Sequence, residues 1–141
     1  MAASDTVIAN MALSHIGHGS EIANIDTEKS EAARACRSFM DPARELVLRS
    51  FAWPFATKFS TLSLISENPN DEWVYSYRYP TDCLMMIKLL SGVRNERRSE
   101  RQEYEISKDN NGRVILTDKS SAQAKYIERV EDTTLYPPDF T

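Results

Sequence analysis

A long amphipathic segment, from Asp26 to Phe59, constrains the fold more than any other stretch of this chain. Apolar residues recur in it every three or four positions, which places them on one side of a helix. Pro54 keeps Trp53 out of helical geometry, so the pattern predicts a helix over about residues 28–52, capped by the preceding Asp-Thr pair. Pro42 predicts a kink because proline removes one backbone hydrogen bond. The predicted inward residues are Cys36, Phe39, Met40, Ala43, Leu46, Val47 and Phe51.

The opposite face of this helix carries charges of alternating sign. Arg37 and Asp41, and likewise Glu45 and Arg49, have the i,i+4 spacing of helical ion pairs. Leu48 stands among them, about 140° around the helix from Ala43 of the apolar stripe. Such a face is usually just solvated, but a leucine among pairable charges is also typical of a subunit interface. We therefore predict an interface with a neighbouring protein subunit from these helix residues: Arg34, Arg37, Asp41, Arg44, Glu45 and Leu48.

Length and charge limit the classes of protein to which this chain can belong. Its 141 residues predict a single domain, 1–141, with a real core. A formal net charge of −4 argues against a protein whose main work is neutralising nucleic-acid phosphate. No charged leader precedes an apolar run, and no apolar run approaches the roughly 18 residues of a membrane span. These features predict a soluble protein that is made in the cytoplasm.

The segments around the long helix predict an α+β fold. A shorter helix is expected over about residues 6–17, with Ile22 and Ile25 filling the space between the two helices of a hairpin. A small, mostly antiparallel sheet is expected over about residues 73–130.

The sheet prediction depends on alternating residues and on one turn signal. Aromatic residues alternate from Trp73 to Tyr79, a second apolar run covers about residues 84–90, and Asn111-Gly112 joins two further runs. We expect this sheet to bury one face, including its tyrosines, against the helices.

A basic segment follows the second strand and is called the arginine loop here (residues 93–103). Its four arginines are interleaved with three glutamates, which leaves a net charge of +1. Such near-neutrality favours a charged loop that docks on protein over a phosphate clamp. The arginines assigned to an interface with another protein subunit are Arg94, Arg97, Arg98 and Arg101.

A search for catalytic or metal-binding motifs finds little. His15 and His18 have no third ligand at a metal-like spacing, and no phosphate loop or nucleophile motif is present, so no cofactor, metal or catalytic residue is predicted. Two other functions stay open. A single-stranded nucleic-acid-binding module would use the Trp73–Tyr79 ladder with the arginine loop, and a small hydrolase would combine His15 with carboxylates of the sheet margin.

Three blocks of the sequence resemble one known family. They are the helix block Asn10, Ala12, Leu13, Ile16 and Gly17, the block Leu48, Arg49, Trp53, Phe55 and Ala56, and the block Tyr77, Tyr79, Pro80, Asp82 and Cys83. Together they resemble the tail tubular protein A family, the head-to-tail adaptors of short-tailed bacteriophages, and the likeness extends over nearly the whole chain.

The resemblance implies a structural virion protein and not an enzyme. Copies would assemble as a ring, typically twelvefold, beneath the portal protein and carry the next tail component, while genomic DNA passes through the lumen without sequence-specific binding. The protein would reside in the host cytoplasm during assembly and then in the neck of the virion. No membrane partner is implied.

The resemblance also implies a C-terminal helix that the segment LYPPDFT begins and does not complete. We therefore expect a missing segment or a neighbouring subunit to cover an apolar strip near Met11, Met40 and Val47.

Overall fold

A computed structural model describes residues 4–141 and shows the predicted α+β fold. Residue contacts divide the chain into two compact units. The first comprises the residues up to Phe55 together with Arg129–Thr141, and the second comprises Ala56–Glu128. That the whole chain folds as a single domain stays a prediction. None of the described helices is long and apolar enough to cross a membrane.

Two helices form the first part of unit one. Helix α1 spans Asp5–His15 and helix α2 spans Glu31–Arg49. Each begins after a serine, Ser4 or Ser30, whose hydroxyl accepts the backbone N–H three residues ahead at 3.2 Å. Helix α2 is shorter than the predicted 28–52. Its N-cap is Ser30 and not the Asp-Thr pair at residues 26–27, so the helix begins later than predicted. It runs through Pro42 without ending, as predicted.

The loop between the helices fills the space between them, which confirms the predicted hairpin core. Ile22 and Ile25 are buried against Ala9 and Ala33. The Asn10 side chain holds this loop from helix α1, because its amide donates to the Ile22 carbonyl at 2.9 Å and its carbonyl accepts the Ile22 N–H at 2.7 Å. Two hydrogen bonds from one side chain fix the loop's position beside the helix.

The buried face of helix α2 differs from the predicted one. Ala33, Arg44 and Leu48 are the buried residues of this helix, whereas Phe39 and Leu46 are 69% and 72% exposed. The predicted apolar stripe thus lies largely on the surface. The prediction that Leu48 stands outside the core and faces a neighbour is wrong, since its side chain is fully enclosed.

Unit two contains the strands of the described chain, and they form two sheets where one was predicted. Both sheets are antiparallel, with strand orders β1-β7-β4 and β2-β3-β6-β5. The strands are β1 (Thr57–Thr61), β2 (Leu64–Glu67), β3 (Tyr75–Arg78), β4 (Cys83–Leu89), β5 (Tyr104–Asp109), β6 (Gly112–Thr117) and β7 (Gln123–Glu128).

The β5–β6 hairpin lies at the predicted turn signal. Its last register pair joins Asp109 to Gly112, and Gly112 has a φ of 133°, a conformation that other residues rarely adopt. The sequence therefore located this turn correctly.

The core of unit two lies between its two sheets. Tyr77 and Ile115 from the four-stranded sheet pack in one cluster with Met86, Leu89 and Tyr126 from the three-stranded sheet. Two of the four ladder aromatics, Tyr77 and Tyr79, are thus buried as expected, but against a second sheet, and the other two are half-buried. The prediction missed this because a split of one strand series into two sheets leaves the period-two pattern of each strand unchanged.

Candidate functional site

A buried arginine forms the most connected polar site of unit one. The Arg44 guanidinium donates from Nη2 to Asp5 Oδ1 at 2.8 Å, from Nη1 to Asp41 Oδ1 at 2.7 Å, and from Nε to Tyr136 Oη at 2.8 Å. The Tyr136 hydroxyl in turn donates to the Val130 carbonyl. These bonds connect helix α1, helix α2 and the C-terminal segment, so Arg44 is a structural residue and not the surface residue that was predicted.

Burial and charge act in opposite directions on this site. Burial disfavours the charged form of Arg44, but its interactions with Tyr136, Asp5 and Asp41 outweigh that effect and raise its pKa. Burial raises the pKa of Tyr136, which keeps its hydroxyl protonated and able to donate. The guanidinium thus stays charged and paired.

An apolar groove lies beside this arginine. It has a volume of about 150 Å³, and its walls come from both helices and from the C-terminal segment. Phe140 lines the groove, and its ring packs on Trp53, Phe55 and Tyr136 with centroids 4.7 to 5.1 Å away. The lining residues are Ile8, Met40, Ala43, Arg44, Val47, Tyr136, Phe140 and Thr141.

The two helices that line this groove also carry exposed apolar side chains. Met11 and Val47 are 42% and 38% exposed, and Met40 is half-buried, as was expected of this strip. Phe39 and Leu46 extend the apolar surface along helix α2. Exposed apolar surface of this kind on a soluble protein usually marks an interaction site.

A polar pocket of about 340 Å³ adjoins the groove and shares Met40 and Arg44 with it. Four carboxylates and two arginines line this pocket, which leaves it a net charge of −2. Asp26 and Glu131 are exposed and form no ion pair within residues 4–141. We call the four carboxylates the acidic rim: Asp5, Asp26, Asp41 and Glu131.

The remaining predicted helix residues differ in their surroundings. Arg34 is exposed, whereas Arg37 is half-buried and donates to the carbonyls of Ile25 at 2.5 Å and Glu28 at 2.7 Å. Glu45 forms an ion pair with Arg129. Arg34, Asp41 and Glu45 keep part of their surface accessible, while Arg44 and Leu48 do not, so the predicted charged stripe is not one continuous surface.

The arginine loop of unit two presents its four arginines to solvent. Glu96, by contrast, turns inward. Its side chain is 7% exposed, pairs with Lys88 at 3.3 Å and accepts the Ser91 hydroxyl. The hydrogen bond from Ser91 lowers the pKa of Glu96, and the Lys88 ammonium acts in the same direction. Because Lys88 already neutralises Glu96, the outer surface of the loop is more positive than its sequence indicates.

A second polar cluster lies at the margin of the three-stranded sheet. Asp82 accepts from Lys58 Nζ and from the Tyr126 hydroxyl, both at 2.9 Å, and Lys58 also reaches Glu128 at 3.5 Å. The hydrogen bond to Asp82 raises the pKa of Lys58. Burial opposes the negative charge of Asp82, but these two hydrogen bonds outweigh it and lower its pKa. Lys58 is thus paired with both carboxylates, and such partly exposed ion pairs are typical of a structural cluster.

The histidines are both exposed. In the described chain no hydrogen bond or ion pair joins His15 or His18 to a carboxylate, and no group of three potential metal ligands occurs. The geometry that the hydrolase hypothesis requires is therefore not formed by His15 in this structure.

No protein-family model matches this sequence, and no curated protein matches it significantly.

Sequence reasoning missed two functional features. The acidic rim draws its carboxylates from four separate segments, namely the two helices, the loop between them and the C-terminal segment, so no local spacing reveals it. Glu96 has the same charge as Glu100 and Glu103 of the loop, and its contacts with Lys88 and Ser91 in the folded chain distinguish it.

Proposed function

We propose that this protein is a structural head-to-tail adaptor of a bacteriophage virion. Copies form a ring beneath the portal protein, and the ring carries the next tail component while genomic DNA passes through its lumen. The proposal starts from the sequence blocks that resemble the tail tubular protein A family. It assigns no chemical turnover to the protein.

The apolar face of helix α2 carries this proposal. Phe39 and Leu46 are large apolar side chains with more than two thirds of their surface accessible. Together they expose apolar surface that a solitary soluble domain would bury or replace with polar groups. This arrangement supports a protein that binds other proteins, because a partner that covers this face removes its apolar surface from water, which is energetically favourable.

The acidic balance of the chain supports the same role. A net charge of −4 disfavours tight adhesion to DNA phosphates, which suits a ring through which a genome must move. The exposed arginine loop then remains available for protein contacts.

The direct test is assembly on the portal. Purified protein is mixed with portal rings of the phage that encodes it, and the product is imaged by electron microscopy. The proposal requires an added ring of density on one end of each portal. Portals that remain bare at saturating protein, when the protein is folded, would refute it.

The single-stranded nucleic-acid hypothesis receives less support. Tyr77 and Tyr79 are 2% and 7% exposed, so they cannot stack on bases without opening the core. Trp73 and Tyr75 are half-buried. Among the residues that this hypothesis uses, those of the exposed class are the arginines of the loop.

A further inference from the structure

The apolar groove of unit one has a charged border that limits what can occupy it. On one side lie the apolar walls formed by Met40, Ala43 and Val47, and on the other lies the acidic rim. Since the two pockets share Met40 and Arg44, an occupant can contact both at once. A fitting segment would therefore combine a small apolar side chain with adjacent positive charges.

The carboxylates of the rim are still available for such a partner. Asp26 and Glu131 carry no ion pair in the described chain, and the side chain of Asp41 is 76% exposed despite its bond to Arg44. The pocket's two arginines are already engaged, Arg44 with carboxylates and Arg37 with backbone carbonyls. The rim thus keeps a net negative charge.

One exposed segment of this chain has the complementary chemistry. Val93, at the start of the arginine loop, is 51% exposed, and exposed arginines follow it within a few residues. With Glu96 neutralised by Lys88, the loop carries four arginines against Glu100 and Glu103, a net charge of +2. The buried Glu96 side chain also anchors the loop, so less ordering is needed when the loop binds.

We propose that the arginine loop of a second copy of this chain docks on the apolar groove and acidic rim. Val93 of the second copy occupies the groove, and its arginines meet the rim. This inference rests on the proposed function insofar as it assigns the contact between neighbouring subunits of the ring. The two surfaces differ, so the contact is head-to-tail, and repetition of such a contact yields a ring or an open chain.

Charge reversal provides a specific test. One variant carries Arg97→Glu and Arg98→Glu in the loop, and another carries Asp26→Lys and Glu131→Lys in the rim. Self-association is measured by sedimentation velocity over a concentration series at low salt. Each variant alone should associate about 100-fold more weakly than the wild type, because like charges then face each other across the contact.

A mixture of the two variants distinguishes this contact from all others. In an equimolar mixture every reversed loop can meet a reversed rim, and every unchanged loop can meet an unchanged rim. Association should therefore return to near the wild-type level. Adding salt should weaken the association of the wild type and of the mixture alike, because the pairing charges are exposed.

Matched controls exclude unfolding and general charge effects. Asp71→Lys with Glu72→Lys reverses two exposed carboxylates outside the rim and should leave association unchanged. Thermal melts monitored by circular dichroism should show that all variants are folded.

Three results would overturn the inference: association that survives both reversals, a mixture of folded variants that stays dissociated, or a wild type that is monomeric at every concentration. A wild type that is monomeric at every concentration would overturn this contact alone, and the portal assay would still decide whether the protein is an adaptor. Conversely, bare portals combined with a restored mixture would refute the adaptor proposal and leave this contact in place.

Discussion

Replacing Leu48 with alanine tests which face of helix α2 supports the fold. The Leu48 side chain has no accessible surface, so the substitution removes three buried carbon atoms. Burying these three carbon atoms out of water stabilises the folded state by about 2.4 kcal/mol, at roughly 0.8 kcal/mol per carbon. A residual cavity adds to this cost, and we expect the free energy of unfolding to fall by about 3 kcal/mol. For a domain of ordinary stability this is a large fraction of the total.

Leu46→Ala is the matched control, because it is the same substitution two positions away on the same helix. Leu46 is 72% exposed, so little of its side chain leaves water on folding. We expect a loss below about 0.7 kcal/mol.

Urea unfolding monitored by circular dichroism gives both free energies from the midpoint and slope of each transition. Equal losses for the two variants, or a loss at Leu48 below about 0.5 kcal/mol, the usual range for surface substitutions, would refute the assignment of the buried face.

Three further predictions concern charged residues. Arg44→Met should lower the free energy of unfolding by about 1 to 3 kcal/mol in the same urea assay, since it removes three hydrogen bonds, two of them to carboxylates that can still be hydrated; an unchanged midpoint would contradict the structural role. The folded-state pKa of Asp82 is lowered, so its contribution to stability is present above its unfolded-state pKa and is lost as the pH falls through its folded-state pKa. Thermal stability should thus decline in acid, and less steeply in Asp82→Asn; parallel pH profiles would contradict this. Arg97→Gln with Arg98→Gln should leave duplex DNA binding at low salt as negligible as in the wild type, measured by fluorescence anisotropy, whereas strong wild-type binding that this variant loses would assign the loop to DNA.

Local signals in the sequence were sufficient for several parts of the fold. Ile22 and Ile25 fill the space between the helices, as predicted, because an apolar pair in a short polar loop can be buried only by the helices beside it. The β5–β6 turn was located correctly because the backbone there needs a glycine. In both cases the determining interactions lie within a short stretch of chain.

The buried face of helix α2 could not be read from the sequence in the same way. The apolar stripe through Phe39 and Leu46 dominates the helical pattern, yet that face is exposed. The groove and its acidic rim likewise combine helices α1 and α2 with the C-terminal segment. The charge of Glu96 is cancelled only by its contact with Lys88 across the start of the arginine loop.

The sequence alone therefore determined the α+β class, the two helices and the hairpin turn, because helix periodicity, strand alternation and glycine geometry are properties of neighbouring residues. The tertiary structure decided which side of helix α2 is buried. The partners of Arg44 on helix α1 and in the C-terminal segment are 39 and 92 residues away in the chain. Contacts at such separations produce no periodic pattern in the sequence. Only the folded chain therefore shows that helix α2 buries Arg44, while much of the apolar stripe that was predicted to be buried is exposed.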